Sequence, residues 1–276
     1  MKFFLDKNTR WAWSHVALAL LGCAPFVTPK LPRSETAQTS APTPKAPSID
    51  PCGAYQAGPG ADYVPPALVH GEGDPVKQFT LREATVGLIG AGRLLATIDT
   101  TEGPLTCVLY HERTPYTVAN FVGLARGLRP FKDPETGAWV RRPGYDKGIF
   151  HRIIKGFMAQ GGDPSGTGSF DPGFMIPNEH WRGDSFDRPG LLGTANRGKD
   201  TNGMQFFVMH DKAPHLNGKH TVFGECEADN FLNQLMNTRT SYGDRPVHPP
   251  LILSIDIHPE IECEEESSWG GAGGAP

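Results

Sequence analysis

An arginine inside an apolar run is the first feature of this 276-residue chain that asks for a chemical explanation. Residues 149–163 read Ile-Phe-His-Arg-Ile-Ile-Lys-Gly-Phe-Met-Ala-Gln-Gly-Gly-Asp. Period-2 alternation over residues 150–154 predicts a short strand with Phe150, Arg152 and Ile154 on one face and His151 pointing away. Lys155-Gly156 signals a turn, and residues 157–160 resume as strand until Gly161-Gly162-Asp163-Pro164 break the run. Arginine is rarely buried without a partner, so the plain reading puts Arg152 at a sheet edge with its head in water. Other reactive residue types form no convincing constellation. His210, His215 and His220 lie five apart on a strand-and-loop segment, a spacing that does not converge on one metal ion. Ser165 and Ser169 lack the Gly-x-Ser-x-Gly turn of a strained nucleophile. There is no phosphate-binding loop, dinucleotide fingerprint or paired-cysteine zinc motif.

Three blocks change the meaning of Arg152. They are FHRIIKGFMAQGGDPSGTG at residues 150–168, GLLGTANRGKDTNGMQFFV at 190–208 and HLNGKHTVFG at 215–224. In this order and spacing the chain resembles the cyclophilin family of peptidyl-prolyl cis/trans isomerases, over roughly residues 93–258. The resemblance implies a mainly β fold: a closed eight-stranded antiparallel β-barrel capped by two helices. It also implies an enzyme acting on proline-containing polypeptide clients with no cofactor and no metal.

Rotation about an X-Pro bond needs no acid, base or nucleophile. Its barrier, about 18–20 kcal/mol, comes from amide resonance. A guanidinium beside the prolyl nitrogen bonds it only once resonance is lost, so the interaction is stronger in the transition state than in the ground state. By resemblance Arg152 takes this role, and Gln160 bonds the substrate backbone and helps to aim it. Phe157, Met158, Phe207 and Leu216 would line an apolar proline pocket, with His220 at its edge. Ala195 and Asn196 would flank the neighbouring groove, Asn196 through its main chain, and Gln205 would support the floor. His215 stands where many relatives carry tryptophan, a position that helps to bind cyclosporin; the smaller polar ring implies weak drug binding. A non-catalytic proline-binding module using the same groove is the competing expectation, but mere grip on proline does not require Arg152 and Gln160.

The elements that must position these residues are legible in part. Residues 94–100 and 105–110 predict a hairpin about Gly103-Pro104. Residues 114–127 predict a helix, with Thr114 as N-cap, Pro115 at the first position, Gly127 past the end, and Val118, Phe121, Val122 and Ala125 as its apolar stripe. Residues 128–147 read as a solvated, inserted loop, and 164–190 as a long loop rimming the groove. Strands are expected at 191–195, 205–209, 220–223 and 251–257, and a second helix at 229–237. Residues 76–81 and 84–89 fit short strands or a helical turn.

The ends of the chain read differently. Lys2, Lys7 and Arg10 precede an apolar run at residues 11–21, too short to span a bilayer, which needs roughly 20 apolar residues. It closes on Leu20-Leu21-Gly22-Cys23, which resembles a bacterial lipobox; an ordinary secretory signal is the alternative, and either implies export. The expected organisation is a signal peptide at 1–22 and a Pro/Thr/Ser-rich tether at 23–50. An extension at 51–92, the isomerase domain at 93–258 and an acidic, Gly-rich tail at 259–276 follow. Lipidation at Cys23 would anchor a monomer to the membrane, on the periplasmic face of the outer membrane. Basic and acidic residues balance at 26 and 30, which argues against a nucleic-acid partner. Cys52, Cys107, Cys226 and Cys263 permit two disulfides; Cys107 and Cys226 read as small buried thiols, and Cys52 and Cys263 as a staple for the two extensions.

Overall fold

Alternation along the strands sets the architecture, because a two-residue period sends successive side chains to opposite faces. The computed structural model describes residues 54–58, 60–62, 79–227 and 229–262. Ten strands occur among them: β1 (Gly90–Thr100), β2 (Leu105–Leu109), β3 (Phe131–Lys132), β4 (Trp139–Val140), β5 (Arg152–Ile154), β6 (Met158–Gly161), β7 (Leu191–Thr194), β8 (Phe206–Met209), β9 (Val222–Cys226) and β10 (Ile252–Glu262). Three helices accompany them: α1 (Leu81–Ala84), α2 (Pro115–Ala125) and α3 (Asp229–Met236). Eight strands form one antiparallel sheet in the order β10-β1-β2-β9-β7-β8-β6-β5. The expected closure is not realised as a ladder, so the sheet is a half-barrel. Its edges, β5 and β10, meet through one isolated bridge, Ile149 to Leu251, with Phe150 N–H donating to Pro250 O and Ile252 N–H to Gly148 O. Three-residue β5 is too short to carry a full edge.

One face of the sheet holds the main core. Ile153, Ala159, Val208 and Leu192 occupy one cross-strand row of that face and are at most 2% exposed. Phe150 is fully buried in the same core, so it does not share the face of Arg152; the strand begins only at Arg152, and alternation does not extend back to Phe150. Helix α2 lies in this core, its Phe121 ring packed on Tyr145, Phe206 and Phe223 at 5.3–5.5 Å. The α2 N-terminus is capped from a distance. Thr114 spends its hydroxyl on Tyr110 O, and Glu179 accepts the N–H groups of Tyr116 and Thr117 at 3.2 and 2.6 Å. Sequence reading missed this because the acceptor comes from a loop some 60 residues away.

The other differences have local causes. Residues 128–147 contain the β3–β4 hairpin, with Trp139 and Val140 packed against the core rather than solvated. Helix α1 adds a third helix, a single turn closed by the Thr80–Glu83 capping box. The extension packs on the domain through Tyr55, Ala57, Ala61, Phe79 and Leu81. Phe79 fits because Gly123 has no side chain; a Cβ there would stand 2.2 Å from the ring. Strand β1 starts at Gly90 and β10 runs on to Glu262, so the sheet extends beyond the expected ends of the domain. Cys107 and Cys226 are direct partners in the β2–β9 register and form a disulfide, not two thiols. Cys23, Cys52, Cys263, the signal, the whole tether and most of the tail lie outside the described residues. No helix among the described residues is long and apolar enough to cross a membrane.

Candidate active site

Strand register builds the site on the face opposite the main core. Arg152 stands directly opposite Gln160, Gln160 opposite Phe207, Phe207 opposite Gly193, and Gly193 opposite Val222. Direct cross-strand partners share a face, with Cβ atoms about 4.5–5.5 Å apart. A charged donor, an amide and an apolar ring thus fall in one row across β5, β6 and β8. The next row, Ile154, Met158 and Met209, supplies apolar neighbours.

Phe207, Met158 and Val222 belong to a second, smaller apolar cluster with Phe186, Leu191, Met209 and Ala213, against which Phe157, Ala195 and Leu216 pack half-buried. Gly193 makes the floor possible. A Cβ there would stand 2.3 Å from Phe207 Cζ and 2.8 Å from Phe186 Cε1, so the Phe207 ring lies across the glycine. This requirement for close approach was missed in the sequence, where Gly193 is one glycine among 33.

Polar groups border the floor. His220 meets Phe207 edge-on at 5.7 Å, and its Nδ1 lies 2.9 Å from Thr194 O. A carbonyl only accepts, so Nδ1 carries the proton and Nε2 keeps a lone pair. Burial lowers the His220 pKa, the Thr194 bond opposes this, and Lys219 and His215 add to the lowering, so the ring is neutral at pH 7. His215, on the 3-10 turn of Pro214–Leu216, stacks at a tilt on Phe157 with ring centres 5.5 Å apart. The Asn196 side chain is consumed internally, donating to Asn202 Oδ1 and Lys219 O at 3.1 and 2.8 Å. Fully buried Asn202 is the hub of this loop, accepting from Thr194 Oγ1 and donating to Ile176 O and Asn178 Oδ1.

Arg152 is aimed by a residue absent from the motif. Its Nε and Nη2 both reach Asp244 Oδ2 at 3.3 Å, the two side chains being 42% and 44% exposed. Asp244 has φ +61° and follows Gly243 at φ +75°, in a turn tied by Ser241 N–H to Arg245 O. Gln160 instead donates through Nε2 to Gln205 Oε1 at 2.8 Å, and Gln205 donates to Gly168 O at 3.1 Å. Gln205 therefore holds Gln160, and Asp244 holds the guanidinium. His151, expected to point away from Arg152, is buried and lines a cavity of about 560 Å³ together with Arg152, Gln160 and Gln205. Burial lowers the His151 pKa; Asp163 opposes this, while Arg245 and Arg152 add to it. No cluster of His, Cys, Asp or Glu able to hold a metal ion occurs among the described residues.

An antiparallel half-barrel with an arginine beside an apolar floor fits the class of proteins that handle prolyl peptides. Comparison with known proteins gives the family. Residues 95–257 match the model for "Cyclophilin type peptidyl-prolyl cis-trans isomerase/CLD". Peptidyl-prolyl cis-trans isomerase A of Mycobacterium tuberculosis is 44% identical over 165 residues, covering 59% of this chain and 91% of that protein. Peptidyl-prolyl cis-trans isomerase B of Streptomyces anulatus is 40% identical over 171 residues, covering 60% and 98%. A crystal structure of a Cryptosporidium parvum cyclophilin type peptidyl-prolyl cis-trans isomerase, solved in the presence of the dipeptide Ala-Pro, superposes with a TM-score of 0.52 at 31% identity, covering 59% of this chain and 98% of that one. This chain belongs to the cyclophilin type peptidyl-prolyl cis-trans isomerase family.

Proposed function

We propose that this protein accelerates rotation about X-Pro bonds of polypeptide clients, with Arg152 as the group that favours the twisted amide. The observation that carries this is the single register row of Arg152, Gln160 and Phe207 over Gly193. The proline ring sits on Phe207 and Met158 between Phe157, Leu216 and His220. Desolvation there disfavours the more polar planar amide. Gln160, fixed by Gln205, and the main chain at Asn196 hold the client backbone, with Ala195 beside them. The guanidinium, tied to Asp244 through Nε and Nη2, approaches the prolyl nitrogen as it pyramidalises. No covalent bond forms or breaks, and no proton leaves the protein.

The test compares the full chain with Arg152→Ala in a protease-coupled isomerisation assay on a neutral X-Pro peptide. Loss of one pre-organised donor to a transition state costs on the order of 10²-fold. The variant should therefore lose most of its kcat/KM while its melting temperature stays near the parent's, since Arg152 is half exposed. Equal rates would remove Arg152 from the mechanism.

We also propose that Cys23 is acylated and tethers the domain to a membrane as an exported lipoprotein, on the periplasmic face of the outer membrane. The support is the basic and apolar order of residues 2–21, the Leu-Leu-Gly-Cys sequence and the Pro/Thr/Ser-rich stretch behind it. A Cys23→Ser chain should lose palmitate labelling and leave the membrane fraction; unchanged fractionation would count against the anchor.

A further inference from the structure

The cavity beside Arg152 is charged in a way that isomerisation itself does not require. Three arginines are among its lining residues, Arg152, Arg197 and Arg245, against one acidic residue, Asp171. Arg152 is already paired with Asp244. Arg197 and Arg245 are not: among the described residues neither has an ion pair, and their side-chain bonds go to main-chain carbonyls. Arg245 Nη1 donates to Gly166 O at 2.7 Å and Arg197 Nη2 to Gly168 O at 3.5 Å. Asp171 accepts Gly173 N–H at 2.8 Å, which anchors its own turn.

A second observation points into the same space. His151 lines the cavity at 5% exposure, and neither of its ring nitrogens has a hydrogen-bond partner among the described residues. A buried polar group without a partner is uncommon and costs free energy until something bonds it. The space of about 560 Å³ is larger than one side chain needs, and it shares Gln160, Ala195, Asn196 and Gln205 with the prolyl groove. A client residue near the proline therefore has a route into it.

We propose that this cavity is a specificity subsite for an acidic client side chain, an aspartate or glutamate close to the isomerised proline. Arg197 and Arg245 supply the charge, and an N–H of His151 supplies a hydrogen bond. The proposal rests on the isomerase reading of the neighbouring groove. Both arginines are solvent-exposed, and exposed ion pairs are individually weak, so the expected discrimination is about two- to fivefold.

The experiment uses the full chain and a set of X-Pro peptides. Glutamate, glutamine or lysine is placed in turn at each of the three positions before the proline and the two after it. Both kcat/KM and calorimetric affinity are measured. At one position glutamate should exceed glutamine by about two- to fivefold, with lysine below both, and the gap should narrow in 0.5 M salt as exposed charges are screened. The Arg197→Gln/Arg245→Gln double variant should erase the gap while turning over the glutamine peptide as the parent does; each single variant should narrow it. Equal kcat/KM and affinity for glutamate and glutamine peptides at every position would overturn the proposal, as would a gap that survives the double variant. A chain that binds glutamate peptides preferentially but isomerises none would sink the isomerase reading and leave the subsite standing.

Discussion

Gly193→Ala tests whether the apolar floor is built as described. The added Cβ would stand 2.3 Å from Phe207 Cζ, 2.6 Å from Phe207 Cε2 and 2.8 Å from Phe186 Cε1. Ordinary carbon contacts begin near about 3.5 Å, so the ring must move by roughly 1 Å. It has little room, with Phe186 fully buried and Phe207 at 4% exposure. Overpacking of this kind costs about 1–3 kcal/mol. For a domain of this size that is roughly a 2–12 °C fall in melting temperature. A floor displaced by about 1 Å should also lower kcat/KM by tenfold or more, since misplacement on that scale can cost about 10²-fold. Gly224→Ala is the control. Its Cβ would meet Val108 O at 2.7 Å, away from Phe207, so it should destabilise to a similar extent and leave kcat/KM intact below the melting transition. The assays are thermal melts followed by circular dichroism and isomerisation rates well below the melting temperature. If Gly193→Ala matched the parent in both, the Phe207 ring would not lie over Gly193. If both glycine variants lost activity in parallel, the loss would reflect instability and not the floor.

Two further outcomes follow from the polar groups. Asp244→Ala should lower kcat by about three- to tenfold with little change in KM and a modest fall in melting temperature, because the half-exposed pair contributes only about 0–1 kcal/mol while alanine is disfavoured at the left-handed φ of this position. Asp244→Asn, which keeps an acceptor and tolerates that φ, should recover part of the rate at parent-like stability, and a parent-like rate for Asp244→Ala would mean that the client alone aims Arg152. Burial lowers the pKa of His111, His151 and His220 below the unfolded value of about 6.5. The unfolded chain then binds more protons just below that value, so stability is full above about pH 7 and falls as the pH drops from about 6.5 toward the folded-state values. Melts at pH 7.5 and 5.5 should show this, and a higher melting temperature at pH 5.5 would contradict it.

The sequence by itself determined the linear pattern. Alternation located β5 and β6, the Pro115 start and apolar stripe located α2, and three motif blocks marked Arg152, Gln160, Phe207 and His220 as members of one site. The strand and helix signals are of short range, readable because a strand repeats every two residues and a helix about every 3.6; the site residues came from the resemblance that the three blocks carry. Tertiary structure decided what depends on distant partners. Asp244 reaches Arg152 across 92 residues, Glu179 caps α2 across 62, and the Cys107–Cys226 disulfide spans 119. The sheet remains a half-barrel because β5 is three residues long, a length that the apolar run at 150–154 does not reveal. Gly193 and the arginine-lined cavity were hidden for the same reason. Close approach of a ring and an excess of charge are properties of how chain segments meet, and no local period encodes them.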